Sequence, residues 1–216
     1  MKAMRRARVI RRAGAGVWWL AQAVLFAQQY QADKAGPPPA EVAGGIAQAL
    51  GPAGFRITSN GAPYCDVWLR AELPANHAPH EEKVTLPGIA PGTLVGVIRF
   101  DGPAVDRRGQ PIRPGVYILR YGIMPLNIAH EGAAPERDFL LLTPAAEDRD
   151  LKTLGSPEAL VALSRKASGG AHPAVLRVHK AETDSAGFSQ QDGDWVLEAR
   201  AGDTAIALIV AGTPGN

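Results

Sequence analysis

Seven residues, Asn76-His77-Ala78-Pro79-His80-Glu81-Glu82, hold two imidazoles and two carboxylates. Those side chains are ligand types for a divalent metal ion. Their spacing is not helical, and Pro79 restrains the backbone between the two histidines. A metal site through His77 and His80 is one expectation; a solvated polar loop is the plainer one. A second group gathers proton carriers and cations. Asn127-Ile128-Ala129-His130-Glu131-Gly132 leads to Arg137-Asp138, and Ser164-Arg165-Lys166 leads through Ser168-Gly169-Gly170 to His172-Pro173. If these stretches meet, His130, Arg137, Lys166 and His172 form a cluster able to move protons or hold an anion. That arrangement suits a hydrolase or a metal-assisted enzyme. The plainer reading has His and Ser bracing the loops. In a third group Tyr64, Asp66, Trp68 and Arg70 share one face of an alternating run. Two rings with polar neighbours suit stacking on a sugar or on a partner's side chain. The plainer reading is a strand whose second face is covered by a helix or loop.

Familiar catalytic signatures are missing. The chain has no Gly-x-Ser-x-Gly, no His-Glu-x-x-His, no P-loop, no dinucleotide fingerprint and no EF-hand loop. Catalytic triads are recognised by geometry, so an enzyme stays open, but the weight falls on a non-enzymatic module. The single cysteine, Cys65, excludes an internal disulfide and a cysteine-based zinc site. No cofactor is expected beyond the divalent metal already considered.

The elements that must position these groups are mostly strands. Phe55–Ser59 and Ala62–Arg70 alternate on either side of Asn60-Gly61, a turn pair that favours positive φ. Proline and glycine punctuate 71–92. Thr93–Phe100 reads as a strand with Leu94, Ile98 and Phe100 on one face, and with Gly96 where another group approaches closely. Residues 101–112 read as a polar turn. Val116–Ile123 is apolar on both faces, as a central strand is. Asp138–Leu142, Ala174–Lys180, Trp195–Arg200 and Thr204–Val210 complete a set of about eight. Ser156, Pro157 and Glu158 open a helix over about 156–168, and Gly169-Gly170 close it. The pattern predicts a mainly β fold, an antiparallel β-sandwich or open barrel with one late helix. A short N-terminal helix is expected near 41–50, with Val42, Ile46 and Leu50 at helical spacing.

The N-terminus carries an address. Residues 1–12 hold six basic side chains and no acid, and an apolar run follows from Ala13 to Ala27. That layout predicts a cleaved secretory signal peptide over 1–27, the run being short for a membrane span; the plainer reading is an amphipathic or anchoring N-terminal helix that stays attached. The expected organisation is therefore signal 1–27, a Pro/Gly/Ala-rich linker over 28–54, and a β domain over 55–216. All twenty-one acidic residues lie after Ala27 with seventeen basic ones, a net charge of −4. A weakly acidic chain without a basic run speaks against nucleic acid.

Arg113-Pro114-Gly115-Val116-Tyr117-Ile118-Leu119 resembles the Pro-Gly-x-Tyr-x-Leu turn and strand of secreted transthyretin-like and carboxypeptidase-regulatory-like β-sandwiches. A longer resemblance runs over Tyr64–Arg70, Tyr117–Pro125, Arg137–Leu142 and Leu163–Leu176. In those segments the chain resembles an uncharacterised family of exported bacterial proteins. The resemblance implies a periplasmic or extracellular sandwich and no catalytic residue. Together these readings predict an exported module that binds an extracytoplasmic protein or a glycan, without a lasting membrane span.

Overall fold

A computed structural model describes residues 29–74, 80–125, 135–152 and 156–212. Its elements are, in order, β1 (Tyr30–Ala35), α1 (Gly44–Ala49), β2 (Gly54–Ser59), β3 (Ala62–Leu69), β4 (Leu94–Phe100), β5 (Ala104–Val105), β6 (Pro111–Ile112), β7 (Gly115–Ile123), β8 (Asp138–Pro144), α2 (Pro157–Ser168), β9 (Val175–Lys180), β10 (Gly187–Gln191), β11 (Asp194–Ala201) and β12 (Thr204–Gly212). Ten strands form one antiparallel sheet in the order β1-β2-β3-β4-β7-β8-β9-β12-β11-β10, and β5 with β6 forms a small separate hairpin. The sheet curls into a nearly closed, barrel-like form. Its inner face is one apolar core that includes Ile57, Val67, Ile98, Leu119, Leu140, Val178, Leu197 and Leu208.

The eight expected strands are all present. The sheet has ten because β1 and β10 lie at its two edges. Each is only half apolar, so neither carries the alternation that marks a buried strand. In place of two separate packed sheets there is a single curled one. The stretch expected as a linker, 28–54, contains β1, paired with β2 from Tyr30↔Ser59 to Ala35↔Gly54, and then α1. The signal segment 1–27 lies outside the described residues.

Local chemistry explains the turns. Asn60 and Gly61 have φ of 50° and 80°, the mirror-image turn that matches strand twist. Asp192 and Gly193 repeat it at 48° and 85° between β10 and β11. In α2, Ser156 Oγ accepts from Ala159 N at 3.1 Å, and Gly169 closes the helix at φ 67°. A Cβ on Gly96 would collide with the Trp68 carbonyl oxygen, the close approach that its sequence context suggested.

Bulges reassign faces. Between Ile57↔Cys65 and Thr58↔Pro63, β3 carries one residue more than β2, and that residue is Tyr64. Tyr64 and Cys65 therefore both pack on the inner core. A second shift between Leu94 and Gly96 sends Leu94 to the outer face, away from Ile98 and Phe100. The outer face of β3, β4 and β7 is covered by α1, where Val42, Ile46, Leu50, Trp68, Leu94, Val97 and Ile118 form a second core.

Both ends of the barrel are filled. At one, the 80–92 segment inserts Leu86 and Ile89 into the core. The Asp138 carboxylate holds that segment, accepting from Thr85 N (2.8 Å), Thr85 Oγ1 (3.0 Å), Leu86 N (3.1 Å) and Tyr121 OH (2.6 Å). At the other end Ala104 and Ile112 of the β5–β6 hairpin and Ala167 of α2 close the core. The expected polar turn at 101–112 therefore buries two of its apolar side chains. On the outside of β7, Arg120 and Asp148 are both fully buried. Arg120 Nε and Nη2 reach the two Asp148 oxygens at 2.9 and 2.6 Å, and its remaining donors meet the carbonyls of Gly92, Asp150 and Lys152. Thr143 Oγ1 donates to the same carboxylate at 2.5 Å. This ion pair straps the 145–152 segment to the sheet.

Candidate functional site

The face expected from Tyr64, Asp66, Trp68 and Arg70 is not a surface. Trp68 is 1% exposed, lies beneath α1, and donates from Nε1 to the Gly36 carbonyl at 2.8 Å. Asp66 is equally buried. It accepts two bonds from Arg56 at 2.9 Å and one from Arg99 at 2.6 Å, as the middle of a row across β2, β3 and β4. The Asp66 carboxylate raises the Arg56 guanidinium above its ordinary value through that hydrogen bond. Arg70 pairs by backbone with Leu50, and burial lowers its guanidinium, with Arg120 adding repulsion. Tyr64 is turned inward by its bulge, so alternation put it on the wrong side.

The other groups separate as well. His77 and His130 lie outside the described residues, and His80 is exposed. Among the described residues no three metal-ligating side chains gather. Arg137 precedes β8. It donates from Nε to the Met124 carbonyl at 2.6 Å and from Nη1 to Glu81 at 3.0 Å and to the Glu82 carbonyl at 3.1 Å, anchoring the 80–92 segment. Lys166 pairs with Glu147 just past the other end of β8. His172 is exposed beyond that same end, and its carbonyl accepts from Ser168 Oγ at 2.6 Å. The length of β8, roughly 20 Å at the usual rise per residue, separates Arg137 from Lys166 and His172.

Two surface features were not found from sequence. The first is the opening between the sheet edges. The edge strands β1 and β10 do not pair, and aromatic rings bridge them instead. Tyr30 packs edge-on against Tyr64 with centroids 5.1 Å apart and lies 5.4 Å from Trp195; Trp195 stacks on Phe188 at 5.6 Å. Tyr64 OH donates to the Val210 carbonyl at 3.4 Å. Burial pushes the Tyr64 phenol well up. Tyr64, Phe188 and Trp195 are half-buried and so keep some surface. β10 reads Gly-Phe-Ser-Gln-Gln with its last three residues exposed and no charge, whereas β1 exposes Asp33 and Lys34.

The second feature is a narrow cleft where β9 and β12 part, with room for about one water molecule. Their ladder ends at Leu208↔Val178. Beyond it Leu176 and Arg177 face Ile209–Gly212 across the cleft, with Val105 and Arg107 contributed by the hairpin. Arg177 Nη2 bonds Glu136 at 2.8 Å, and Arg107 Nη1 lies 3.1 Å from Asp194 Oδ1. Burial raises the Asp194 carboxyl, against the pull of Arg107 and Arg177. The available sequence signals were faint: an Arg pair in a turn, one outward Arg in β9, and Trp195 opening a hairpin.

No helix among the described residues is long and apolar enough to cross a membrane. No known family, curated protein or solved structure was found to match the chain.

Proposed function

We propose that this chain is an exported, non-enzymatic binding module that meets an extracytoplasmic partner at the opening between β1 and β10. The observation that carries the reading is the pairing of an uncharged, unpartnered strand edge with half-buried rings. Among the described residues β10 has β11 on one side and no strand on the other. Natural sheet edges are commonly blunted by charge, proline or a bulge, and Gly187–Gln191 has neither charge nor proline. An extended polypeptide adding to β10 gains main-chain hydrogen bonds, and alternate side chains reach Phe188 and Trp195. A protein partner is thus favoured over a glycan, which would use the rings alone. The basic-then-apolar segment 1–27 and the resemblance to exported bacterial proteins support the extracytoplasmic setting.

The test is a thermal melt of the chain against extended peptides and soluble polysaccharides, repeated on Ser189→Lys and Trp195→Ala. A ligand at a hundred times its Kd stabilises by about 2.7 kcal/mol. For this size that raises Tm by roughly 5–10 °C. Strand addition predicts a peptide-induced shift that both substitutions abolish. A polysaccharide shift that survives Ser189→Lys but not Trp195→Ala assigns the rings to a glycan. No shift with either class removes the reading.

A further inference from the structure

We propose that the strand partner taken up by β10 is β10 of a second copy of this chain, in a closed two-fold pair centred on Ser189. The inference rests on the reading of β10 as an edge open to strand addition, and it names the partner.

The hairpin sets which groups face outward. Asp192-Gly193 is a two-residue turn, so Gln191↔Asp194 is the closing hydrogen-bonded pair. Gly187, Ser189 and Gln191 therefore bond to β11, and Phe188 and Gln190 turn their N–H and C=O groups to the free side. The register with β11 runs unbroken from Gly187↔Glu198 to Gln191↔Asp194, so no bulge twists this edge away. Three two-fold registers satisfy that parity, and side-chain chemistry chooses among them. Centred on Phe188, the pair sets Asp192 against Asp184 of the second copy, two like charges face to face. Centred on Gln190, it sets Phe188 against Asp192 of the second copy. Centred on Ser189, it sets Phe188 against Gln190 and Asp192 against Ala186, with no charges opposed. That register closes four main-chain hydrogen bonds, two at each pairing of Phe188 with Gln190. It also brings the two Phe188–Trp195 stacks within diagonal reach of each other on one face, covering ring surface that a single copy leaves half-buried. The other edge does not compete. β1 exposes Asp33 and Lys34, and setting it against uncharged β10 leaves both without an opposite charge. Such a head-to-tail contact also leads on to a ring or a filament, whereas β10 on β10 stops at two copies.

The test is sedimentation of the full chain over a range of concentrations, joined to cross-linking. Two paired five-residue strands make a small, transient interface, so dimer is expected to form over roughly 10–100 µM. Ser189→Lys sets two ammonium groups against each other and should weaken the dimer at least tenfold. In the two-fold pair the Cα atoms of the two Ser189 residues stand about 4.5 Å apart, within disulfide reach. Cys65 is buried, so Ser189→Cys supplies the reactive thiol, and diamide should link it into dimers. Gln191→Cys lies four residues from its counterpart, roughly 14 Å, and should not link. A chain that stays monomeric to about 0.5 mM overturns the proposal, as does a dimer that Ser189→Lys leaves intact. Equal linking of the two cysteine variants, or none, also overturns it. If Ser189→Lys does not fold, the contrast between the cysteine variants decides. Peptide melts run at about 1 µM, below the dimer range, keep the two readings apart. A peptide-induced shift without a dimer overturns the second copy and leaves strand addition standing. Dimer and Ser189→Cys linking without a peptide shift remove an outside partner and uphold the second copy.

Discussion

Replacing Asp148 by Asn should destabilise the protein severely although the two side chains are nearly isosteric. Arg120 is 0% exposed and so is Asp148. The wild-type guanidinium meets both carboxylate oxygens and the carbonyls of Gly92, Asp150 and Lys152. The substitution keeps the carbonyls but leaves a buried cation without its counter-charge. Breaking a buried pair from one side costs about 3–5 kcal/mol. Because three carbonyl dipoles still face the guanidinium, about 3 kcal/mol is expected, and at ~2–4 °C per kcal/mol for this size Tm falls by roughly 6–12 °C. The double variant Arg120→Met/Asp148→Leu removes both charges and should recover most of that loss, since apolar replacements of buried pairs are often neutral or stabilising. Circular dichroism melts give Tm, and urea unfolding checks that the slope is unchanged. A Tm for Asp148→Asn within about 2 °C of wild type would refute the reasoning. So would a double variant as unstable as the single one.

Other outcomes follow from the same packing. Trp68→Ala should cost about 3–5 kcal/mol, because it empties the space under α1 and removes the bond to Gly36; a denaturation curve matching wild type would mean α1 does not rest on Trp68. Burial raises the phenols of Tyr64, Tyr117 and Tyr121. A raised acid favours the neutral native form, so stability is fully present below the ordinary tyrosine pKa of about 10 and is lost as pH climbs toward the native values. Alkaline titration by absorbance should therefore show these tyrosines ionising together with unfolding, and Tyr121→Phe should make the stability decline with pH shallower. Cys65 is fully buried with its thiol pushed well up, so a thiol reagent should label it at the rate of unfolding and not before.

Much of the fold was legible where local chemistry and tertiary packing agree. Asn60-Gly61, the Ser156-Pro157 cap and the apolar run of β7 each name their element without help. Faces were less legible, because a bulge at Tyr64 or beside Leu94 reverses alternation without any sequence marker. Trp68 and Asp66 follow the alternation correctly and are still buried, since α1 covers one and two arginines enclose the other. Arg120 reads as a charge in an apolar strand, and only the 145–152 segment folding over it explains its place. The opening and the cleft escaped notice because they join residues far apart in the chain, Tyr30 with Trp195 and Arg107 with Arg177.

The contact of Tyr30 with Trp195 also bears on how the chain is made. β1 to β9 pair with near neighbours in sequence, so they can assemble as they emerge. Until β11 and β12 follow, the inner faces of β1, β2 and β3 lack their opposite wall, and Tyr30, Ile57, Cys65 and Val67 face water. The last part of the polypeptide is thus what makes the earlier part soluble. A ribosome paused, or a chain truncated, before residue 194 would present a ready surface for aggregation and for chaperones.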